Sequence, residues 1–123
     1  VGTVTFDASA LIGFFESTDA HHQRAVTEVG RWLGPEHTRF MSVATYAEIL
    51  VHPIREGADP LVEEFVERCE IRLVPMDWQL ARSAAELRAR FLAISLGDAA
   101  ALATAKRFDT ELLTFDNRLT RLA

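Results

Sequence analysis

Cysteine is almost missing from this chain. Cys69 is the only one in 123 residues, so no intramolecular disulfide and no cysteine-based zinc cage can form. It reads as a half-buried helix residue. Lysine is as scarce: Lys106 stands alone beside twelve arginines. Arginine suits bidentate phosphate contacts, although a GC-rich coding sequence accounts for the bias without any binding role. No long hydrophobic run exists. The longest, Ala8 to Phe15, is broken by Ser9 and Gly13 and is far too short to cross a bilayer. The first residues carry neither a basic n-region nor a small-residue cleavage site, so no signal peptide is expected. The expectation is a soluble, cytoplasmic protein with no membrane contact. An excess of positive charge is also lacking: 13 basic against 18 acidic residues give a net charge of -5. That opposes a nucleic-acid binder on its face. The objection weakens if several acids are gathered at one metal site, because the remaining surface is then close to neutral.

The residues that are present describe a globular chain, 49% hydrophobic and 25% charged. Its length predicts a single domain over residues 1–123, able to bury roughly two-thirds of its unfolded surface. β-Branched and aromatic residues predict strands over Val1–Phe6, Thr38–Met41, Ile71–Val74 and Glu111–Phe115. Helices are predicted between them: Ala8–Glu16, Ala20–Leu33, Val43 to about Val51, Asp59 to about Cys69, Trp78 to about Phe91, Leu96–Phe108 and Asn117–Leu122. Gly34-Pro35 and Pro53 supply stops, and Ser42, Asp77 and Ser95 supply caps. Alternating strands and helices predict a three-layer α/β/α sandwich around a mainly parallel sheet of four or five strands. In such sheets ligands bind beyond the strand C-terminal ends, near a topological switch point.

One short echo bears on that edge. Thr5-Phe6-Asp7 recurs as Thr114-Phe115-Asp116, so each Asp follows a strand. If the two strands are neighbours, the carboxylates approach each other. Asp98 and Glu48 join them as acids set against apolar segments. Each has a plain structural reading. Asp7 and Asp116 suit helix N-caps, Asp98 completes a capping box with Ser95, and Glu48 can point to solvent. Jointly, they are the materials of a divalent-cation site. Mg²⁺ and Mn²⁺ take hard oxygen ligands and are held by a few carboxylates plus substrate phosphate. Such an ion serves phosphodiester cleavage.

Five segments in order carry a resemblance. Val4-Thr5-Phe6-Asp7-Ala8-Ser9-Ala10-Leu11-Ile12 opens the chain, and Asp19-Ala20-His21-His22-Gln23-Arg24-Ala25 begins the second helix. Ser42 to Leu50 carries Glu48, Leu96 to Ala105 carries Asp98, and Leu113-Thr114-Phe115-Asp116-Asn117 closes the series. Together they resemble PIN domains, specifically the VapC-type toxins of bacterial toxin–antitoxin pairs. Successive acids are spaced by 41, 50 and 18 residues, as in that family. One departure is Leu119, where the family commonly has an aromatic residue. The resemblance implies an Mg²⁺- or Mn²⁺-dependent endoribonuclease that hydrolyses RNA. It makes Asp7, Glu48, Asp98 and Asp116 the catalytic, metal-binding set, with Ser9 and Thr114 as polar supports. It also implies a homodimer and a cognate antitoxin whose C-terminal segment covers the groove, in a heterotetramer or larger assembly.

Other features have blander readings. Arg118 and Arg121 follow Asp116 and can contact RNA phosphate, but a solvated helix face is the favoured reading. His21 and His22 read as exposed or packed histidines, Trp32 and Trp78 as core or dimer surface, and Tyr46 as core first and a stacking platform for a base second. Two other functions stand beside the nuclease. A catalytically silent PIN-like binding module has the same fold. A receiver-like signalling domain has similar length and alternation, yet it needs an Asp at the end of the middle strand and a late Lys. Here the third strand ends in Val74-Pro75, and Lys106 lies inside a helix.

Overall fold

A computed structural model of the chain describes residues 2–123; the predicted start of the first strand at Val1 lies outside them. Four strands, β1 (Thr3–Phe6), β2 (Thr38–Ser42), β3 (Ile71–Val74) and β4 (Glu111–Leu113), form one sheet in the order β3-β2-β1-β4. Every pairing is parallel, with Val4 opposite Arg39 and Glu111, and Arg39 opposite Ile71. Seven helices connect and follow them: α1 (Ala8–Phe15), α2 (His22–Arg31), α3 (Val43–Arg55), α4 (Asp59–Arg68), α5 (Trp78–Arg90), α6 (Leu96–Phe108) and α7 (Asn117–Thr120).

Alternation along the strands splits the core into the expected layers. Val4, Phe6, Met41 and Ile71 point to one face, where they pack with residues of α1 to α4. Phe40, Val74 and Leu112 point to the other, against α5 and α6. Helix α6 is buried on all sides from Ala99 to Ala105. Apart from Leu102 the side chains of this stretch are small, which lets it lie between the sheet and its neighbours α3 and α5. Leu119 is fully buried with Ala84, Ile94, Ala99 and Leu102, so an aliphatic side chain closes the core where the family commonly has an aromatic one.

Helix α2 is two residues shorter than expected at each end and α7 two shorter at its C-terminal end, and two further elements depart from the sequence expectation for identifiable reasons. Helix α3 runs past Pro53 to Arg55. The proline sits in the last turn, where one missing amide is tolerated. The amides of Glu56 and Ala58 return to the Pro53 carbonyl, and Gly57 at φ +70° ends the turn. Strand β4 stops at Leu113, two residues early, because the next groups bond to side chains instead: the Phe115 amide donates to Ser9 Oγ at 2.9 Å.

Arg39, buried in β2, fastens the opposite end of the sheet. Its Nε donates to the Cys69 carbonyl (2.7 Å), and its Nη1 to those of Trp32 and Gly34 (2.8 Å each). Cys69 and Trp32 are the C-caps of α4 and α2, so one guanidinium meets the negative ends of two helix dipoles.

Candidate active site

The strand order places the switch point at β1, with β2 on one side and β4 on the other. Asp7 follows β1 there. It takes the N-cap position of α1, yet its carboxylate makes no capping hydrogen bond. Its Oδ2 accepts from Thr114 Oγ1 (2.8 Å) and Ser9 Oγ (3.0 Å), leaving Oδ1 without a hydrogen bond. The residue is 2% exposed. Burial pushes its pKa up, the hydroxyls of Thr114 and Ser9 pull it down, and the charge of Asp98 pushes it up again; the net shift is upward. A buried carboxylate with no cap to make, repelled by a nearby like charge, is a cost to the fold.

Ser9 and Thr114 thus both donate to the Asp7 carboxylate. Thr114 Oγ1 also accepts from the Asp116 amide at 3.1 Å and lies 3.2 Å from Ser9 Oγ. The three groups stitch the end of β1 to the segment after β4 across more than a hundred residues of sequence.

Asp98 occupies the third position of α6 and completes the predicted capping box: Asp98 N donates to Ser95 Oγ (3.0 Å), and Ser95 N to Asp98 Oδ2 (2.9 Å). The box uses one carboxylate oxygen, and Oδ1 carries no hydrogen bond. Glu48 extends from the sixth position of α3 toward the start of α6. Its carboxylate lies against the bare Cα of Gly97, in space that a β-carbon there would fill. Glu48 keeps much of its surface in solvent, but partial burial of the carboxyl, then the charges of Asp7 and Asp98, raise its pKa. Asp7, Glu48 and Asp98 thus form one repelling group.

Asp116 has a different neighbourhood. The sequence echo suggested that it faces Asp7, and β1 and β4 are indeed neighbours. Its carboxylate, however, is clasped by Arg118. Nε donates to Oδ1 (3.2 Å), Nη2 to Oδ2 (2.9 Å), and the Arg118 amide to Oδ1 (2.9 Å). The hydrogen bonds and charge of Arg118 hold Asp116 below the usual carboxylate range. Arg118 Nη1 also donates to the Ala93 carbonyl, in the loop before α6, at 2.7 Å.

Among the described residues, no three acidic, histidine or cysteine side chains stand close enough together to cage an ion. The donor set nevertheless fits Mg²⁺ or Mn²⁺. All donors are hard oxygens, Asp7 and Asp98 each keep a free one, and Gly97 leaves room for Glu48. These cations keep several waters and need only one or two carboxylates from the protein. His21 and His22 take no part: His21 packs on the Phe115 ring and His22 Nδ1 pairs with the Gly13 carbonyl. Trp78 is exposed rather than core.

Sequence reasoning missed the Arg118 clasp and the Arg39 fastening. Residues two apart do not face each other within a helix. Asp116 is an extended N-cap, which swings its carboxylate over the first turn and onto Arg118.

Among curated proteins, none matches the chain by sequence. Among solved structures, VapC20 of Mycobacterium tuberculosis, a toxin that cleaves the sarcin–ricin loop, superimposes with a TM-score of 0.80 at 17% identity, over 98% of this chain and 95% of its own. A toxin–antitoxin complex from Klebsiella pneumoniae gives 0.76 at 22% identity, over 94% and 88%. VapBC2 of Rickettsia felis, bound to a fragment of its promoter DNA, gives 0.70 at 12% identity, over 97% and 92%. The PIN domain family model matches residues 4–123, and the chain belongs to the PIN domain family.

Proposed function

We propose that this chain is an endoribonuclease dependent on Mg²⁺ or Mn²⁺, acting as the toxin of a toxin–antitoxin pair in the bacterial cytoplasm. The observation that carries the reading is Asp7. It is buried, does no capping, is held through one oxygen by two hydroxyls, and stands beside two further acids at the sheet's switch point. Structural economy does not explain such a carboxylate, whereas cation binding does.

In this reading Asp7 Oδ1, Asp98 Oδ1 and the Glu48 carboxylate hold the cation, with Asp116 as a fourth donor once it leaves Arg118. When bound, the ion supplies a water acidified for attack on phosphorus and positive charge opposite the departing oxygen. Thr114 and Ser9 keep Asp7 in one rotamer. The capping box does the same for Asp98, so both donors are aimed before substrate arrives. In the same reading Glu48, the most exposed of the set, would orient the attacking water or hold a second ion. Arg118 would contact an RNA phosphate.

The partners follow from the same reading. The structural neighbours include toxins solved with their antitoxins. The proposal is therefore a cognate antitoxin that covers the acidic edge, and a toxin homodimer within the complex. An acidic edge suits a basic antitoxin side chain. No helix among the described residues is long and apolar enough to cross a membrane.

The deciding experiment is incubation of purified, antitoxin-free protein with total bacterial RNA in Mg²⁺, Mn²⁺ or EDTA, beside Asp98→Asn. Discrete fragments that require the metal and vanish in the variant are expected. Identical patterns from folded wild type and variant under every condition would reduce the chain to a binding-only PIN fold.

A further inference from the structure

Arg118 stands between two events the proposed function requires. Both oxygens of Asp116 accept from its fork, at 3.2 and 2.9 Å, so a cation at Asp116 competes with the fork for the same carboxylate charge and lone pairs. By the same bonds, the Nε–Nη2 edge of Arg118 is unavailable to RNA. One rupture frees both groups. The guanidinium is not released to wander, because Nη1 stays on the Ala93 carbonyl at 2.7 Å, beside the N-terminus of the helix that carries Asp98. The freed edge presents two parallel N–H donors, the geometry that a phosphate takes bidentately. The residue is more than half exposed, so the exchange needs no opening of the core.

We infer that Arg118 exchanges partners: it holds Asp116 until the cation binds, and gives it to the cation as it takes an RNA phosphate. This rests on the metal-dependent nuclease reading and adds a prediction that the reading does not make. Cation and RNA bind in mutual support through one side chain, and the coupling is reciprocal. Arg118 is thus a positioning residue toward Asp116 and a phosphate contact toward RNA.

The alternative is that Arg118 merely ties α7 to the loop before α6. The two roles differ in sign. A tie that is cut loosens Asp116 and weakens cation binding. An exchanging partner that is removed leaves Asp116 free and strengthens cation binding in the absence of RNA.

The test is calorimetric titration of Mn²⁺ into the wild-type chain, Arg118→Gln, Arg118→Lys and Asp98→Asn, with and without a slow-cleaving phosphorothioate-linked single-stranded RNA. Without RNA, Arg118→Gln is expected to bind Mn²⁺ about two- to fivefold more tightly than wild type, the size set by an exposed ion pair. RNA should tighten Mn²⁺ binding to wild type, leave Arg118→Gln unmoved, and act partly on Arg118→Lys, which keeps the charge but not the fork. Weaker or equal Mn²⁺ binding by Arg118→Gln, or an RNA effect that survives in it, overturns the exchange. If wild type and Asp98→Asn both fail to bind Mn²⁺, the nuclease reading falls and the exchange with it. Mn²⁺ binding that depends on Asp98 but ignores Arg118 overturns the exchange alone.

Discussion

Asp7 shows how a single side chain can work against its own fold. Its carboxylate is 2% exposed and faces other acids, and the hydroxyls of Ser9 and Thr114 are the main compensation. An asparagine has the same shape and can still accept both hydroxyls through Oδ1. Asp7→Asn is therefore expected to melt a few degrees higher than wild type in metal-free buffer, a gain of about 1 kcal/mol. It should also lose at least about 100-fold in RNA cleavage, because a neutral amide is a poor ligand for a hard cation. Melting curves and the RNA assay, run together, check both halves. A variant less stable than wild type would mean that the carboxylate belongs to the fold. The sequence shows this residue through its echo with Asp116, and the PIN resemblance implies the two hydroxyls. It does not show the burial, which depends on helices far away in the chain.

Helix starts do most of the positioning. Glu48 sits two turns into α3, and Asp98 is fixed by the first turn of α6. The two helices meet where Gly97 has no side chain. Gly97→Ala separates fold from function. A β-carbon there displaces only the flexible end of Glu48, and alanine favours the helix by up to about 1 kcal/mol. The melting temperature should hold or rise slightly. RNA cleavage should fall about 10- to 100-fold, the cost of a donor displaced by about 1 Å. Unchanged cleavage would remove Glu48 from the proposed machinery. At this scale the sequence was legible wherever a local rule acts alone: Ser42, Asp77 and Ser95 cap the helices they were expected to cap. It misled where tertiary bonds replaced local ones. Helix α3 crosses Pro53 because the chain beyond returns its amides to the last turn. Strand β4 ends early because Ser9 takes the Phe115 amide. Arg39 belongs to the same class, since four β-prone residues give no hint of the helix ends that meet their arginine.

Across the whole molecule, charge is unevenly spent. A net charge of -5 looks hostile to RNA, yet four of the 18 acids are those of the proposed site, and Asp7, Glu48 and Asp98 repel one another. A bound cation removes that repulsion and binds only the folded chain. Saturating Mn²⁺ is therefore expected to raise the melting temperature of wild type, by an amount that grows with the logarithm of its concentration and reverses in EDTA. Differential scanning calorimetry across a Mn²⁺ series checks this, and a flat response would sink it. The parallel α/β architecture was legible from alternation alone, as was the edge on which the acids gather. Which acids oppose one another was not. That follows from the strand order β3-β2-β1-β4, and the helix lengths alone do not dictate it.

The hydrogen bond from Thr114 to Asp7 joins residues 107 positions apart. Asp7 is therefore synthesised more than a hundred residues ahead of one of the two hydroxyls that hold it. A chain interrupted or clipped before Thr114 keeps Ser9 alone on that carboxylate, so its Asp7 is less firmly aimed than in the folded domain.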